Sequence, residues 1–282
     1  MASQGQVLFW SMTTVILSLA AVIGLIIGFG VSGRRSIAVT ALTSPGNLGQ
    51  RGVLGCTFEP DIQLSSTAIQ WAKEGVAGLV HEFRSGQEQL QEQAELFQGR
   101  TALFAEELRA GNASLQLSNV QLSDAGTYQC SVTTARGTGV AVLHYRTGAF
   151  SSPEVHVERS SSSGARLRCE AARWFPAPAV HWQVSSAAGE QLLAPGASPS
   201  YQLNADNITL TVLSSLHNIT ANATYSCVME NTMAKATGSI TVTDFSIPGR
   251  TSWQLLTLKT ESVSSSLPAC PWLLLLLALC LL

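Results

Sequence analysis

One arrangement of residues occurs twice in this chain: a cysteine, then a tryptophan, then a tyrosine two positions before a second cysteine. The two copies are Cys56, Trp71, Tyr128, Cys130 and Cys169, Trp182, Tyr225, Cys227. In a two-sheet β-sandwich, one cysteine from each sheet meets its partner across the core. The tryptophan packs against that bridge, and the tyrosine hydroxyl bonds back to the backbone. The repeat therefore predicts an all-β chain with two successive sandwiches.

The repeat also selects the disulfides. The chain has six cysteines, of which Cys270 and Cys280 lie in an apolar C-terminal segment. The other four allow three pairings, and their spacing does not choose among them. Because each copy of the repeat is complete in itself, we expect the bridges to join Cys56 to Cys130 and Cys169 to Cys227. Each bridge closes a long loop, which the chain-entropy model values at on the order of 4 kcal/mol.

The segments between these residues show the two-residue period of half-buried strands. In "VLGCTF" we expect Val53 to face the core, and the period of "RTALFAEEL" and "ASLQLSNV" predicts further strands. "TYQCSVTT" and "TGVAVLHY" predict a hairpin around Arg136 and Gly137. The resulting domain boundaries are 36–145 for the first sandwich and 149–243 for the second.

Hydrophobic residues make up 46% of the chain, and their excess lies at the two ends. We interpret residues 1–33 as a signal peptide, cleaved among the small residues from Gly24 to Gly33. The alternative is an uncleaved anchor, because the leader begins without a basic side chain. Arg34 and Arg35 would favour a cytosolic location for the downstream chain, which conflicts with the disulfides and the glycosylation signals.

The apolar tail, 267–282, contains 16 residues, fewer than the roughly 17 that a spanning helix needs. Small polar residues precede it, a pattern typical of a signal for a glycosylphosphatidylinositol anchor. We favour this lipid anchor over a short single-pass span. We interpret residues 244–266, rich in hydroxyl side chains, as a stalk that needs no packed core. Both alternatives place the sandwiches outside the cell on its membrane.

The first sandwich resembles variable-type immunoglobulin domains. The segment "DAGTYQC", from Asp124 to Cys130, matches their signature Asp-x-Gly-x-Tyr-x-Cys, and Arg100 stands where such domains place an arginine. The resemblance implies a structural salt bridge between Arg100 and Asp124. The interval between Trp71 and Cys130 leaves room for the extra strand pair of the variable type.

The second sandwich resembles constant-type immunoglobulin domains, on the segment "LRCEAARWFPAPAVHWQV". Its shorter cysteine spacing fits the smaller strand number of that type. In such domains the bond between the aromatic residue and the proline, here Phe175–Pro176, is often cis. A cis bond at this position is an implication of the resemblance alone.

Over roughly 36–243 the chain resembles the butyrophilin-related family of T-cell co-stimulatory and co-inhibitory ligands. The segments "FSSPEVHV", "RWFPAPAVHW" and "VQLSDAGTYQC", with the leader "MASQGQVLFW", carry this resemblance. It implies a co-inhibitory ligand at the cell surface that binds a protein receptor on T cells and restrains their activation, proliferation and cytokine production. A different class remains open: a homophilic adhesion protein, or a decoy released from the membrane.

The same resemblance implies a binding face. Such ligands bind through the sheet of the first domain that contains the Trp71 strand, the strand 79–83 and the hairpin 128–145. We expect six outward residues there to contact the partner: Gln70, Lys73, His81, Gln129, Ser131 and Arg136.

Four asparagines fit the glycosylation signal Asn-x-Ser/Thr: Asn112, Asn207, Asn218 and Asn222. Three of them fall in the second domain, so glycans would cover one flank of that domain. The first domain carries one site and is therefore the better candidate for partner binding.

Other functional classes lack support. The net charge of −2 favours neither a nucleic-acid partner nor an anionic membrane surface. The GxGxxG match at 28–33 lies in the apolar leader, without the strand and helix that a dinucleotide site requires. The five histidines share no ligand spacing with cysteines or carboxylates. We therefore expect no metal, no cofactor, no small-molecule substrate and no enzymatic activity.

Overall fold

A computed structural model describes residues 12–24, 36–60, 64–160, 164–185, 191–194, 196, 198–243, 250–258 and 260–261. The prediction of an all-β chain with two tandem sandwiches is confirmed. Residues 12–24 form an α-helix. No helix in the described ranges has both the length and the apolar character needed to cross a membrane. The tail 267–282 and most of the leader lie outside the described residues.

The first sandwich begins with strands joined by short turns. Its strands are β1 (Val39–Thr43), β2 (Gly46–Asn47), β3 (Gly52–Phe58), β4 (Ala68–Lys73), β5 (His81–Arg84), β6 (Gln87–Glu88), β7 (Thr101–Leu103), β8 (Leu115–Leu117), β9 (Gly126–Thr134) and β10 (Gly137–Tyr145). Short 3₁₀ helices span Leu64–Ser66, Glu95–Phe97, Ala105–Ala110 and Leu122–Asp124.

Two sheets enclose the first core. The front sheet has the order β10-β9-β4-β5-β6, and the back sheet continues from β1 through β3 and β8 to β7. The strands β5 and β6 are the extra pair for which the sequence left room. The bridge between Cys56 and Cys130 crosses this core, and the indole of Trp71 donates to the carbonyl oxygen of Ala113 at 3.0 Å.

The second sandwich comes after a short connection. Its strands, with the connection and the C-terminal segment, are β11 (Thr147–Gly148), β12 (Glu154–Ser160), β13 (Gly164–Trp174), β14 (Ala179–Ser185), β15 (Gln191–Ala194), β16 (Ser200–Leu203), β17 (Leu210–Leu216), β18 (Ala223–Glu230), β19 (Ala234–Val242), β20 (Arg250–Thr257) and β21 (Thr260–Glu261). One sheet has the order β12-β13-β17-β16 and the other β15-β14-β18-β19-β20.

The second core repeats the plan of the first. Cys169 and Cys227 are bonded, and the buried indole of Trp182 donates to the hydroxyl of Ser214 at 3.0 Å. The hydroxyl of Tyr225 accepts a hydrogen bond from the backbone N–H of Thr220 at 2.8 Å. The Phe175–Pro176 bond is cis.

The two sandwiches are joined by direct contacts. β11 pairs in parallel with β2. The Asn47 side chain donates to the carbonyl oxygen of Phe150 at 2.9 Å and accepts from its N–H at 3.2 Å. The packing is close, because a Cβ on Gly148 would lie 2.3 Å from the Met233 Cε atom. The connection therefore packs against both sandwiches.

Three sequence-based expectations about elements are wrong. Val53 faces outward with 44% exposure, because its neighbours Leu54 and Cys56 take the core positions of β3. The "RTALFAEEL" strand ends at Leu103, and a 3₁₀ helix follows it. The expected stalk contains β20, which pairs along its whole length with β19, so this part of 244–266 belongs to the second sandwich.

Candidate partner-binding face

The outer surface of the front sheet is the candidate face, and strand register defines its members. Cross-strand partners on this surface form two full rows and one shorter row: Thr138, Thr133, Ala68, Arg84; Val140, Ser131, Gln70, Glu82; and Val142, Gln129, Ala72. We call these eleven residues the front face. Nine are small, aliphatic or amide side chains without charge.

The two charged members of the front face neutralise each other. The Arg84 guanidinium lies 2.5 Å from the Glu82 carboxylate, and the Gln70 amide donates to the same carboxylate oxygen at 3.1 Å. Because Glu82 is only 7% exposed, its charge is largely covered by these two side chains. The face therefore presents a flat, nearly neutral surface, with charge confined to its β5 edge.

Three of the six residues expected on this face lie on it. Gln70, Gln129 and Ser131 all point outward, and the Gln129 amide donates to the Ser131 hydroxyl at 3.0 Å. Their contact with a partner stays a prediction. Arg136 lies in the exposed turn between β9 and β10, where its guanidinium approaches Glu59 at 3.8 Å. It stands at the rim of the face.

The outward placement of His81 is wrong. Register puts His81 opposite Trp71, so its ring points into the core, where it is fully buried. Its Nδ1 atom lies 2.9 Å from the Thr101 hydroxyl, and its Nε2 atom lies 3.3 Å from a Glu88 carboxylate oxygen. Burial lowers the pKa of His81, and the nearby Glu88 carboxylate opposes that shift. The histidine is a structural residue of the first core.

The outward placement of Lys73 is also wrong. Lys73 follows Ile69 and Trp71 at two-residue intervals, so it shares their inward direction. Its ammonium lies 5.6 Å from the centroid of the Tyr128 ring and donates to the carbonyl oxygen of Ser123. Partial burial lowers the pKa of Lys73. Lys73 therefore stabilises the end of the first sandwich that contains the 3₁₀ helix Leu122–Asp124, which we call the lower end.

That lower end is organised by the ion pair that the resemblance implied. The Arg100 guanidinium donates to both carboxylate oxygens of Asp124, at 3.1 and 2.5 Å. Asp124 is fully buried, and it also accepts from the N–H of Gln121 at 2.8 Å. The Tyr128 hydroxyl donates to the Asp124 carbonyl oxygen at 2.7 Å. A bidentate, buried pair of this kind fixes geometry and leaves no group free for acid–base chemistry.

The sequence missed several members of the front face. Val140 and Val142 are half-buried and outward, while Ala141 and Leu143 between them are buried. Both faces of β10 are therefore apolar, so periodicity does not distinguish them. Glu82 was missed because its outward position depends on the pairing with Gln70. Knowing the pairing of β4 with β5 would have identified it.

The four asparagines of the glycosylation signals lie at turns and edges. Asn207, Asn218 and Asn222 adopt positive φ angles of 54°, 57° and 60° and are exposed. Asn112 is half-buried, and its side-chain oxygen accepts from the N–H of Ser114 at 3.0 Å. None of the four is a member of the front face. Within the described ranges, no group of three or more metal-ligating side chains comes together.

Comparisons with known proteins agree with this architecture. The model of the immunoglobulin V-set domain matches residues 40–146, and that of the butyrophilin subfamily 3 member A2-like Ig-C domain matches residues 150–237. The human V-set domain-containing T-cell activation inhibitor 1 is 54% identical over 277 residues, covering 98% of this chain and 97% of that protein. This chain belongs to the V-set domain-containing T-cell activation inhibitor 1 family. The rat member is 52% identical over 283 residues, covering 100% of this chain and 99% of that protein.

Two solved structures are also similar to this chain. The human B7-H4 IgV-like domain is 59% identical, with a TM-score of 0.39, and covers 39% of this chain and 96% of that chain. Bovine butyrophilin is 23% identical, with a TM-score of 0.45, and covers 77% of this chain and 97% of that chain. Family membership rests on the full-length relatives. Two tandem immunoglobulin domains in a member of this family indicate a cell-surface protein.

Proposed function

We propose that this chain is a co-inhibitory ligand at the cell surface, which binds a receptor on T cells and restrains their activation, proliferation and cytokine production. The observation that carries the proposal is the similarity along the whole chain, 54% identity over 98% of its length, to a protein named as a T-cell activation inhibitor. Both domains take part in that similarity, so the proposal concerns the complete two-domain architecture.

The front face supports protein binding in physical terms. It lacks net charge, its central row of Val140, Ser131, Gln70 and Glu82 contains no aromatic or arginine side chain, and none of the four glycosylation signals lies on it. Protein interfaces gain most of their affinity from a few large anchoring residues. Because the central row of this face offers none, the partner would supply the anchors, and the valines of β10 would pack against them.

A T-cell assay tests the function. Beads would carry a T-cell receptor stimulus together with a fusion of residues 36–261, and proliferation and cytokine release would be measured. We expect both to fall relative to beads that carry an unrelated tandem immunoglobulin ectodomain. Unchanged proliferation would contradict the proposal.

The same beads separate the second class, a homophilic adhesion protein or a decoy. Clumping of the beads in the absence of T cells, with T-cell proliferation unaffected, would support adhesion through two copies of this chain. For a released decoy, the ectodomain would collect in the medium of cells that express the full chain. The ligand proposal expects it to stay on those cells.

For the attachment itself we propose a glycosylphosphatidylinositol anchor added near residues 262–266, in place of the short single-pass span. The support is the sequence of the tail, 16 apolar residues after a short polar segment. Treating intact cells with a phosphatidylinositol-specific phospholipase would release the ectodomain. Retention on treated cells, with release of a known lipid-anchored control, would favour the span.

A further inference from the structure

The C-terminal segment of the ectodomain turns back toward the first sandwich. The last residue of β19, Val242, lies far from the junction between the two sandwiches. There the N–H of Asn222 donates to the carbonyl oxygen of Val242. β20 then runs antiparallel to β19 and returns to the junction. There the N–H of Leu258 donates to the carbonyl oxygen of Met233 at 2.8 Å.

β21 completes this return by joining the first sandwich. It pairs with β1 at the edge of the back sheet, with Thr260 opposite Thr43 and Glu261 opposite Leu42. The described chain therefore leaves the ectodomain beside the first sandwich, not at the far end of the second.

We propose that the side of the ectodomain formed by β20, β21 and the edge at β1 faces the membrane, and that its partner is the outer lipid leaflet of the membrane to which the chain is attached. This inference rests on the membrane attachment under the proposed function. The proposed anchor sites at 262–266 follow Glu261 by one to five chain steps, and Leu267, where the alternative span would begin, follows it by six. Six steps span at most about 20 Å. While β21 stays paired, this short connection keeps the junction close to the bilayer.

Exposed apolar side chains on β20 and just after it fit a lipid surface. Trp253 is 73% exposed, Leu256 is 51% exposed and Leu258 is 41% exposed. Trp253 and Leu256 project from opposite faces of β20. If the membrane surface contacts the outer edge of this strand, both side chains can therefore reach the membrane. Tryptophan prefers the interface between headgroups and acyl chains. Among the described residues, no strand pairs with the outer edge of β20, so its exposed backbone groups limit the contact to headgroup depth.

The three glycosylation signals of the second domain leave its β20 edge open, while Asn112 lies on the first domain beside Thr57 of β3. Asn207 lies on the turn before β17, near β16, which forms the edge of the sandwich opposite β20. Asn218 and Asn222 lie between β17 and β18, at the end far from the junction. Glycans at these positions would not separate β20 from the bilayer along most of its length.

This orientation lays the two sandwiches along the membrane and leaves the front face accessible from the side. β10 is the front-sheet strand next to the membrane side, because Ser36, just before β1, pairs with Thr138 of β10. β6 is the opposite edge. Four strand spacings of about 4.8 Å put β6 about 19 Å farther from the bilayer. A receptor on an opposing T cell would therefore approach the front face laterally, with its membrane-distal end toward β10 and its membrane-proximal end toward β5 and β6.

The test uses the full chain on cells and measures energy transfer from a site-specific fluorophore to an acceptor dye in the outer leaflet. One pair of positions compares the two edges of the second sandwich, Ser252 on β20 and Leu193 on β15. A second pair compares the edges of the front sheet, Thr138 on β10 and Gln87 on β6. All four are exposed. We expect at least twofold higher transfer at Ser252 than at Leu193, and at Thr138 than at Gln87.

Two variants show whether β20 and β21 cause the orientation. Leu255→Asp puts a charge at a half-buried position that packs against the second core, so it should release β20. Gln254→Asp adds the same charge to an exposed neighbour and is the matched control. We expect the transfer at Thr138 to fall at least twofold in Leu255→Asp and to stay unchanged in Gln254→Asp.

Equal transfer at both members of each pair would overturn the proposal, as would a chain that is not attached to the membrane. An unchanged Thr138 signal in Leu255→Asp, with β20 shown to be released by hydrogen exchange, would also overturn it. If the transfer differences appear but cells that express the unlabelled chain do not inhibit T cells, the orientation stands and the proposed function fails.

Discussion

The ion pair between Arg100 and Asp124 gives a direct test at the scale of single residues. Replacing Arg100 by Ala leaves the Asp124 carboxylate buried without its cation. Breaking a buried pair in this way costs about 3–5 kcal/mol. We expect the urea-unfolding free energy of the first domain to fall by that amount.

The matched control is the exposed pair of Arg136 with Glu59 in the same domain. Their side chains are 57% and 60% exposed, and exposed pairs contribute about 0–1 kcal/mol. Arg136→Ala should therefore change the unfolding free energy little. Similar losses for the two variants would show that burial does not determine the contribution of the Arg100 pair.

His81 predicts how stability changes with pH. Burial holds its folded-state pKa below the ordinary 6.5, so the unfolded chain binds a proton more readily than the folded chain below pH 6.5. The stability that neutral His81 supports is therefore complete above pH 6.5 and is lost as the pH falls through the folded-state pKa.

Urea unfolding between pH 7.5 and pH 5 measures this effect. His81→Gln should flatten the dependence relative to the unaltered chain. A steep dependence that survives in His81→Gln would show that another group is responsible.

The role of a residue could be predicted where a motif fixes it. It could not be predicted where the role depends on strand phase, that is, on which face of a strand the side chain occupies. The repeated cysteine, tryptophan and Tyr-x-Cys pattern identified Trp71 and Tyr128, and the resemblance to variable-type immunoglobulin domains identified Arg100. His81 and Lys73 depended on phase, and the apolar residues around His81 (Leu79, Val80 and Phe83) fit either phase. Only cross-strand pairing distinguishes the two faces of such a strand.

At the scale of elements, β20 is the strand that the sequence did not indicate. A segment rich in Ser and Thr with a Pro-Gly pair is typical of a linker. However, the eight residues that follow this pair form β20 and extend the sheet beyond β19. The pairing is a long-range effect, because the edge of β19 offers unsatisfied backbone groups to any extended segment nearby.

Truncation tests the contribution of β20. A chain that ends at Thr243 would expose the edge of β19 and the part of the second core that Leu255 covers. We expect faster amide exchange across 234–241 and a lower melting temperature for the second domain than in a chain that ends at Glu261. Identical exchange in the two chains would contradict the role of β20 as a structural strand.

At the scale of the whole molecule, the sequence indicated the two sandwiches, their order and their bridges, because each depends on a repeated motif. The return of the chain to the first sandwich at β21 depends on a contact between domains, for which the sequence carries no local signal. The same holds for the front face, whose rows combine residues from three or four strands.

The distribution of glycosylation signals predicts different roles for the two domains: the second carries most of the glycans, and the first binds the receptor. A variant with Asn207, Asn218 and Asn222 all replaced by Gln should lose three glycans by mass. It should still inhibit T cells, because the front face lies on the first domain. Loss of inhibition in a variant that remains folded would place the receptor contact on the second domain instead.

Two outward valines on opposite faces of the first sandwich, each to be shown to leave the domain folded when replaced by arginine, give the most direct test of receptor binding through the front face. Val142 lies on the front face, and Val53 is 44% exposed on the back sheet of the same domain. Ectodomains that carry Val142→Arg or Val53→Arg would be compared with the unaltered chain for binding to activated T cells and for inhibition of their proliferation. We predict that Val142→Arg loses both, by tenfold or more in binding, while Val53→Arg keeps both; loss only in Val53→Arg, or equal loss in the two, would contradict binding through this face.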